Sequence, residues 1–550
     1  MVSNKNIFYA TNPARITDAL WEIINASNVD LRDMLIFLPS RRAVRGVEQY
    51  LVNRIGHSII LPRLVALGEG DDEDVDDTPD AIPNTMRLIT MAKLLAADAS
   101  IGNIATALPV ARDLMRMQDY LENEGVCAAN INWSELVDEK YAAHFQRKAA
   151  LLDILSGVQD EIADKRPTQT QLRNNDIRAW IGKLSAYRLV IVCGSTASVP
   201  ATADLMMAVA ASQNGRIILS GHICGAVSDF ELNTNPYNAE YKLLKRIGIT
   251  PDDVIPIDVG SSAIEFFNHA FSNDVSCHND GDAVRHCHLI ECARESEEAA
   301  VVAEIASRAV SEKKSVLIIT PDAAGNQRIA ASIQARGLSA DFSGGITGAM
   351  TDAGRAILNA FDDWMDAGNT SVFDDLYARN NYDLMNTVVQ MIDDNVVNFA
   401  PEFDPGDNKY IPVWCAIKDL SDCLNAMKMR ISIADARAFL SDVISSVAVR
   451  GEMNPDADII VLGTIESRMQ TADVIILTGL NDGMFPARGY ENAWLPRDLA
   501  EKIGLPSPDR KVSLQSLDFM NLSCGSDVYW TRSAVSGGVK TIESRFLSRV

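Results

Sequence analysis

The chain opens with apolar blocks that alternate with stretches of helical spacing. Asn6–Ala10 (NIFYA) is a short apolar run, Thr17–Ile24 repeats its apolar residues at helical intervals, and Met34–Leu38 (MLIFL) is an unbroken apolar block stopped by Pro39. An unbroken block of that length is expected of a strand covered on both faces. Ser40 stands where a helix cap is wanted, ahead of Arg41–Arg54, in which Val44, Val47, Tyr50 and Leu51 mark an apolar face. The order β-α-β-α predicts a parallel sheet.

From 82 to 185 the spacing turns helical, over Met86–Ala97, Ile104–Glu122, Ser134–Asp138 and Ala142–Ala163. Strand patterns return at Arg188–Cys193 and Gly215–Ser220, with a Gly-Ser-Thr turn and a helix from Thr202 between them. The sequence of patterns then recurs. His288–Cys292 and Ser315–Ile319 flank a helix at Glu295–Val310, residues 352–450 are helical with a break at 398–410, and Ile459–Leu462 and Val474–Thr478 are strands. The chain is thus read as two split α/β domains, 1–81 with 186–285 and 286–354 with 451–550. Each is interrupted by a helical insertion, at 82–185 and 355–450. No short internal repeat is visible.

Composition narrows the function classes. The 550 residues are 47% hydrophobic and 23% charged, as in a globular protein, and the net charge of -24 excludes a polycation that coats nucleic acid. The charge is uneven: residues 1–63 and 494–550 carry balances of +3 and +2, and the stretch between them carries -29. Its densest acidic run, Glu69–Asp80, has eight acids in twelve positions and is expected to be a solvated loop. Nine scattered cysteines with no CxxC point to a reducing compartment. The first fifteen residues lack the pattern of a secretory signal, and no run of about 18 apolar residues predicts a membrane span.

Parallel α/β architecture directs attention to phosphate loops. The one Gly-Lys pair, Gly182-Lys183, has Ile177 in place of the first glycine of a P-loop and Leu184 in place of the hydroxyl residue. The turn after the first strand, Thr11–Arg15, has no glycine, and the 189–193 strand ends in Cys193-Gly194-Ser195-Thr196 where a magnesium-binding acid pair would stand. Cys193 is expected to be a buried strand-end thiol, not a nucleophile, and no catalytic residue is assigned. Cys277, His278, His286, Cys287, His288 and Cys292 have zinc-ligand chemistry. A strand over 286–292 sends alternate residues to opposite faces, so no metal site is expected there. Ser40, Arg41, Arg42 and Arg45 open a helix after a strand. That arrangement of free N–H groups, a hydroxyl and guanidinium groups suits a phosphate, with a merely basic surface helix as the alternative. In Val461–Pro486 a buried strand empties into the polar turn Gly479-Leu480-Asn481-Asp482-Gly483, where ligands bind in open α/β sheets.

Taken in order, several segments resemble one family. They are FLPSRRAVRGVEQYL (37–51), ILPRLVALGEGDDED (60–74), CGSTASVPATADLM (193–206) and ITPDAAGNQRIAASIQARGLSADFSGG (319–345). LGTIESRMQTADVIILTGLNDGMFP (462–486), WLPRDLAEKIGLPSPDRKVSLQSLDF (494–519) and WTRSAVSGGVKTIESRFL (530–547) complete the series. The chain resembles the AddB family of alphaproteobacterial type, the second subunit of AddAB helicase–nucleases that process double-strand breaks. The resemblance implies two RecA-like parallel-sheet domains of superfamily 1 helicase type, each with a helical insertion. It implies DNA contacts at Ser40, Arg41, Arg42, Arg45, Thr464 and Arg468, with Glu466 and Asp473 in the motif that couples nucleotide and DNA sites. Thr531 and Arg532 match the Thr-Arg of the last helicase motif and imply a vestigial nucleotide site. The implied role is a motor-inactive DNA-binding scaffold beside an AddA-type subunit, at single- and double-stranded DNA ends in the bacterial cytoplasm and nucleoid. The alternative is an ATP-driven helicase with a divergent phosphate loop. Family members continue into a nuclease domain with an iron–sulfur cluster and magnesium. The segments here stop short of it, so no cofactor is expected in this chain, which reads as a fragment or a truncated copy.

Overall fold

The computed structural model describes residues 6–57, 60–68, 81–98, 101–133, 151–155, 166–221, 223, 233–272, 281–342, 344–366, 411–429, 431–449, 457–487 and 494–550. The acidic run 69–80, the helix expected at 134–138, most of that expected at 142–163, the break at 398–410, and Cys277 and His278 lie outside these residues. The described residues belong to two compact units. An α/β unit comprises Met1–Asp74, Arg173–Ser343 and Asn454–Val550, and a helical unit comprises Val75–Leu172 and Gly344–Met453.

The α/β unit contains two six-stranded parallel sheets. Sheet A consists of β1 (Ile7–Ala10), β2 (Met34–Leu38), β3 (Arg63–Ala66), β4 (Leu189–Cys193), β5 (Gly215–Leu219) and β6 (Ile255–Ile257), in the order β3-β2-β4-β5-β1-β6. Sheet B consists of β7 (Cys287–Cys292), β8 (Val316–Ile319), β9 (Asp341–Phe342), β10 (Ile459–Leu462), β11 (Val474–Leu477) and β12 (Val528–Ser533), in the order β7-β12-β11-β8-β10-β9. The fold is α/β, with the two sets of strands hydrogen-bonded in two separate sheets, as two RecA-like sheets require. The central strands β2, β4, β8 and β11 are buried at every position. This is the physical reason their sequences are unbroken apolar blocks.

Alternate residues of these strands feed different cores. Met34, Ile36 and Leu38 of β2, with Leu189, Ile191 and Cys193 of β4, pack under α1 (Ile16–Ala26) and α2 (Arg41–Ile55). Val316, Ile318, Val474 and Ile476 of sheet B likewise pack with α7 (Glu295–Ser311) and α8 (Ala323–Gln334). The opposite faces of both sheets enter one shared core. Leu35, Phe37, Val190 and Val192 belong to the same apolar cluster as Leu317, Ile319, Ile475 and Leu477. The space is filled by α5 (Pro200–Ala211), α6 (Ile264–Phe271) and α12 (Asp509–Leu522). Within it Phe267 meets Phe519 edge-on at 6.3 Å, and Phe519 stacks on Trp530 at 5.4 Å. Aromatic pairs of this kind add about 0.5–1.5 kcal/mol each beyond their buried area.

In the helical unit α3 (Asn84–Ala96) packs on α4 (Ile104–Asn123), and the later stretch supplies α9 (Asp352–Asp366), α10 (Ile411–Ala426) and α11 (Ile433–Ser446). The two stretches join through Arg112, whose Nε donates to both carboxylate oxygens of Asp442 at 2.7 and 2.8 Å. Buried Arg87 donates to Asn84, Gln118 and Asp119. Glu122 beside them accepts from Gln118, Thr168 and Gln171. Burial pushes the Glu122 carboxyl up to about 7, against the pull of the Thr168 hydrogen bond and the Arg87 charge. No described helix is long and apolar enough to cross a membrane.

Candidate nucleic-acid interface

Helix α2 starts where the sequence places a cap. Ser40 is extended (φ -142°, ψ 165°), and its Oγ accepts from the Ala43 amide at 3.0 Å. The side chain is almost fully buried, so in this structure its hydroxyl serves the helix end. Arg41 and Arg45 on the first turns are exposed. Arg42 between them turns inward and donates from Nη1 to Asp341 Oδ2 at 2.7 Å, with the two side chains 15% and 6% exposed.

The structure brings this turn together with the loop after β10. Thr464, half-buried, opens that loop, and its carbonyl accepts from Ser467 Oγ at 2.7 Å. The Glu466 carboxylate folds back to accept from the Gly463 amide at 3.1 Å. Two glycines make room for the loop to dock on the first sheet. A Cβ at Gly46 would stand 3.2 Å from Gln470 Nε2, and one at Gly194 would collide with the Met469 thioether. Met469 itself has φ +59°, an uncommon setting for a non-glycine residue. Arg468 points back into its own half, where Nε and Nη2 grip Asp518 at 2.8 and 3.1 Å, with side chains 9% and 5% exposed. Burial pushes the Asp518 carboxyl above its ordinary value, and Arg468 pulls against it.

Below the loop, at the carboxyl ends of β1, β4 and β5, lies a cavity of about 40 Å³ lined by Pro13, Gly194, Ser220, Arg468, Asp518 and Asn521 among others. That is room for a few water molecules. Gln470 Nε2 and Asn521 Oδ1 are buried without a protein partner. The turn after β1 is self-contained: Asn12 Oδ1 accepts from the Ala14 amide at 3.1 Å, and Arg15 is drawn off to Asp18 and the Val259 carbonyl. At the end of β4, Cys193, Ser195 and Thr196 are buried, with the Cys193 thiol pushed far up by desolvation. The residues at these two strand ends include no carboxylate to hold a metal and no lysine to hold a phosphate.

The last-motif residues lie on β12 and do not line that cavity. Thr531 Oγ1 donates to buried Glu298 at 2.8 Å, and the same carboxylate oxygen accepts the Gly479 amide at 2.8 Å. Arg532, 8% exposed, is held by Glu291, by Asn481 at 3.2 Å and by Thr541 at 3.3 Å. A smaller cavity of about 20 Å³ opens beside them at the ends of β8 and β11, lined in part by Glu298, Asp322 and Gly479. Among the described residues no group of three or more His, Cys, Asp or Glu side chains is arranged to hold a metal ion.

Asp341, Gln470 and Asp518 do not stand out in the sequence as interface residues. Asp518 does leave a signal, an acid between Leu517 and Phe519 in the apolar stretch LDFM, which calls for a buried cation. Asp341 in its two-residue strand leaves none. No protein-family model matches this chain, and no curated protein matches it.

Proposed function

We propose that this chain is a DNA-binding, motor-inactive helicase-like subunit of a double-strand-break end-resection complex of the AddAB kind. It works beside an AddA-type helicase–nuclease subunit in the bacterial cytoplasm, with no nuclease chemistry of its own in these residues. One observation carries the reading. At the carboxyl edge of sheet A the positions that hold nucleotide in a motor are a capped turn and a buried Cys-Gly-Ser-Thr segment. On the same edge the first turn of α2 carries exposed Arg41 and Arg45 beside the 464–470 loop. Exposed guanidinium groups at a helix start suit a phosphate backbone.

The test is paired. Single-stranded DNA binding is measured by anisotropy at several salt concentrations, and nucleotide binding with a fluorescent ATP analogue on the same preparation. Salt-dependent DNA binding without analogue binding supports the scaffold. Saturable analogue binding with DNA-stimulated hydrolysis that Arg532→Ala abolishes makes the chain an ATP-driven helicase with a divergent phosphate loop. Co-purification with an AddA-type subunit at micromolar concentration tests the partnership.

A further inference from the structure

Arg42 stands in the basic turn, yet its charge is already engaged. Its partner Asp341 lies 299 residues away on β9, the edge strand of sheet B. Both side chains are largely withdrawn from water, so trading Asp341 for a solvated phosphate leaves a buried carboxylate without its cation. The neighbouring Arg41 and Arg45 face solvent. Two further contacts from the sheet B half converge on the same place, Gln470 over Gly46 of α2 and Met469 against Gly194 after β4. The start of α2, over its first two turns, is therefore fixed to the other half from two sides, by charge at Asp341 and by packing at the 464–470 loop.

We propose that Arg42 and Asp341 are a positioning pair. They clasp α2 of sheet A to the edge of sheet B, so that Arg41, Arg45 and the 464–470 loop form one preset surface for the phosphate backbone of single-stranded DNA. The inference rests on the DNA-binding reading above and goes further by dividing the arginines. Arg41 and Arg45 meet phosphates, while Arg42 meets Asp341. The surface stands ready without a nucleotide, because a carboxylate of the chain itself, not a bound anion, holds the two halves in register at this point.

The experiment is a salt titration of single-stranded oligonucleotide binding by the full chain and its variants, with melting temperatures recorded alongside so that a folding loss is read separately. Arg42→Ala and Asp341→Asn each weaken binding about tenfold, the scale of a coupled pair, and leave the slope of log K against log salt unchanged. Arg41→Ala with Arg45→Ala flattens the slope by about 1.4, at roughly 0.7 for each phosphate that the protein no longer neutralises on a single strand. The exchanged pair Arg42→Asp/Asp341→Arg restores affinity to within about threefold of wild type, and it also answers the case in which Arg42→Ala fails to fold. A slope flattened by about 0.7 in Arg42→Ala makes Arg42 a phosphate ligand and overturns the proposal. Tighter binding with a steeper slope in Asp341→Asn makes Asp341 a screen on Arg42 and overturns it equally. A wild-type chain that binds no single-stranded DNA at low salt is a different result, because it removes the proposed function itself.

Discussion

The 40–45 turn and 464–470 loop of the α/β unit and the α3–α4 pair of the helical unit bury charge in different ways. Beside the 40–45 turn and the 464–470 loop of the α/β unit two deeply buried acids have one arginine each, Asp518 with Arg468 and Asp341 with Arg42, while Glu298 of the same unit accepts from the Thr531 hydroxyl and the Gly479 amide. In the helical unit the guanidinium of Arg87 pairs with Asp119 directly, and Glu122 a turn further along α4 accepts from hydroxyl and amide donors. In the Arg468–Asp518 pair a full positive charge pulls against the burial of the carboxyl. At Glu122 burial outweighs the pull of the Thr168 hydrogen bond and the Arg87 charge, so the carboxyl keeps its proton to higher pH and is pushed up to about 7. The first arrangement suits a fixed surface, and the second ties the stability of a helix pair to pH.

Removing one partner of a matched pair tests the contrast most strongly. Arg468→Ala strands the Asp518 carboxylate in the core and is expected to destabilise the α/β unit by roughly 3–5 kcal/mol, read as a lower urea midpoint. Replacing both partners by apolar residues, Arg468→Met with Asp518→Leu, recovers most of that loss, because neither charge then needs solvation. If the single and the double variant melt alike, the pair does not act as a unit.

Next in size is the pH response of the helical unit. The folded value for Glu122 lies above its ordinary 4.5. The folded chain therefore holds an extra proton between about pH 4.5 and 7, and stability falls as pH rises through that window. The shift corresponds to roughly 3 kcal/mol between the ends of the window. Glu122→Gln should remove this component, so that the variant gains on wild type between pH 5 and pH 8 in thermal unfolding. Parallel curves for the two proteins across that range would place the Glu122 carboxyl in its ordinary range.

The smallest effect is expected at the helix cap. Ser40→Ala leaves the Ala43 amide without its partner and should cost about 1 kcal/mol, with Ser40→Asp recovering most of it. The same Ala variant should leave the slope of DNA binding with salt unchanged if the hydroxyl serves the helix and not a phosphate. A slope flattened along with the stability would give Ser40 both roles.

Much of the architecture was legible because its causes are local. β2, β4, β8 and β11 are covered on both faces, so each had to be apolar at every position. Ser40 caps α2 by reaching an amide three residues on, an interaction that its own short stretch of chain contains. The missing phosphate loop was equally plain, since such a loop is a contiguous run of residues. Other strands carry no such mark. β3, β6 and β9 are short or half-exposed edge strands, and β12 (VYWTRS) carries Thr531 and Arg532 in its middle, so none shows an apolar block.

What the chain pattern could not supply was the partner of each charge. Arg41, Arg42 and Arg45 read alike in sequence, yet Arg42 alone of the three is drawn into a buried pair with Asp341, a residue of the other sheet. The resemblance makes Arg468 a DNA contact, and its side chain is sealed against Asp518 fifty residues further on. The turn at 40–45 and the loop at 464–470 approach closely where Gly46 and Gly194 leave room for Gln470 and Met469. Periodicity and capping act within a few residues, so the sequence by itself determined the central strands, the helix start and the absence of a phosphate loop. Ion pairs and close backbone approaches join residues hundreds of positions apart, and the tertiary structure alone decided which arginines face solvent and which hold the fold.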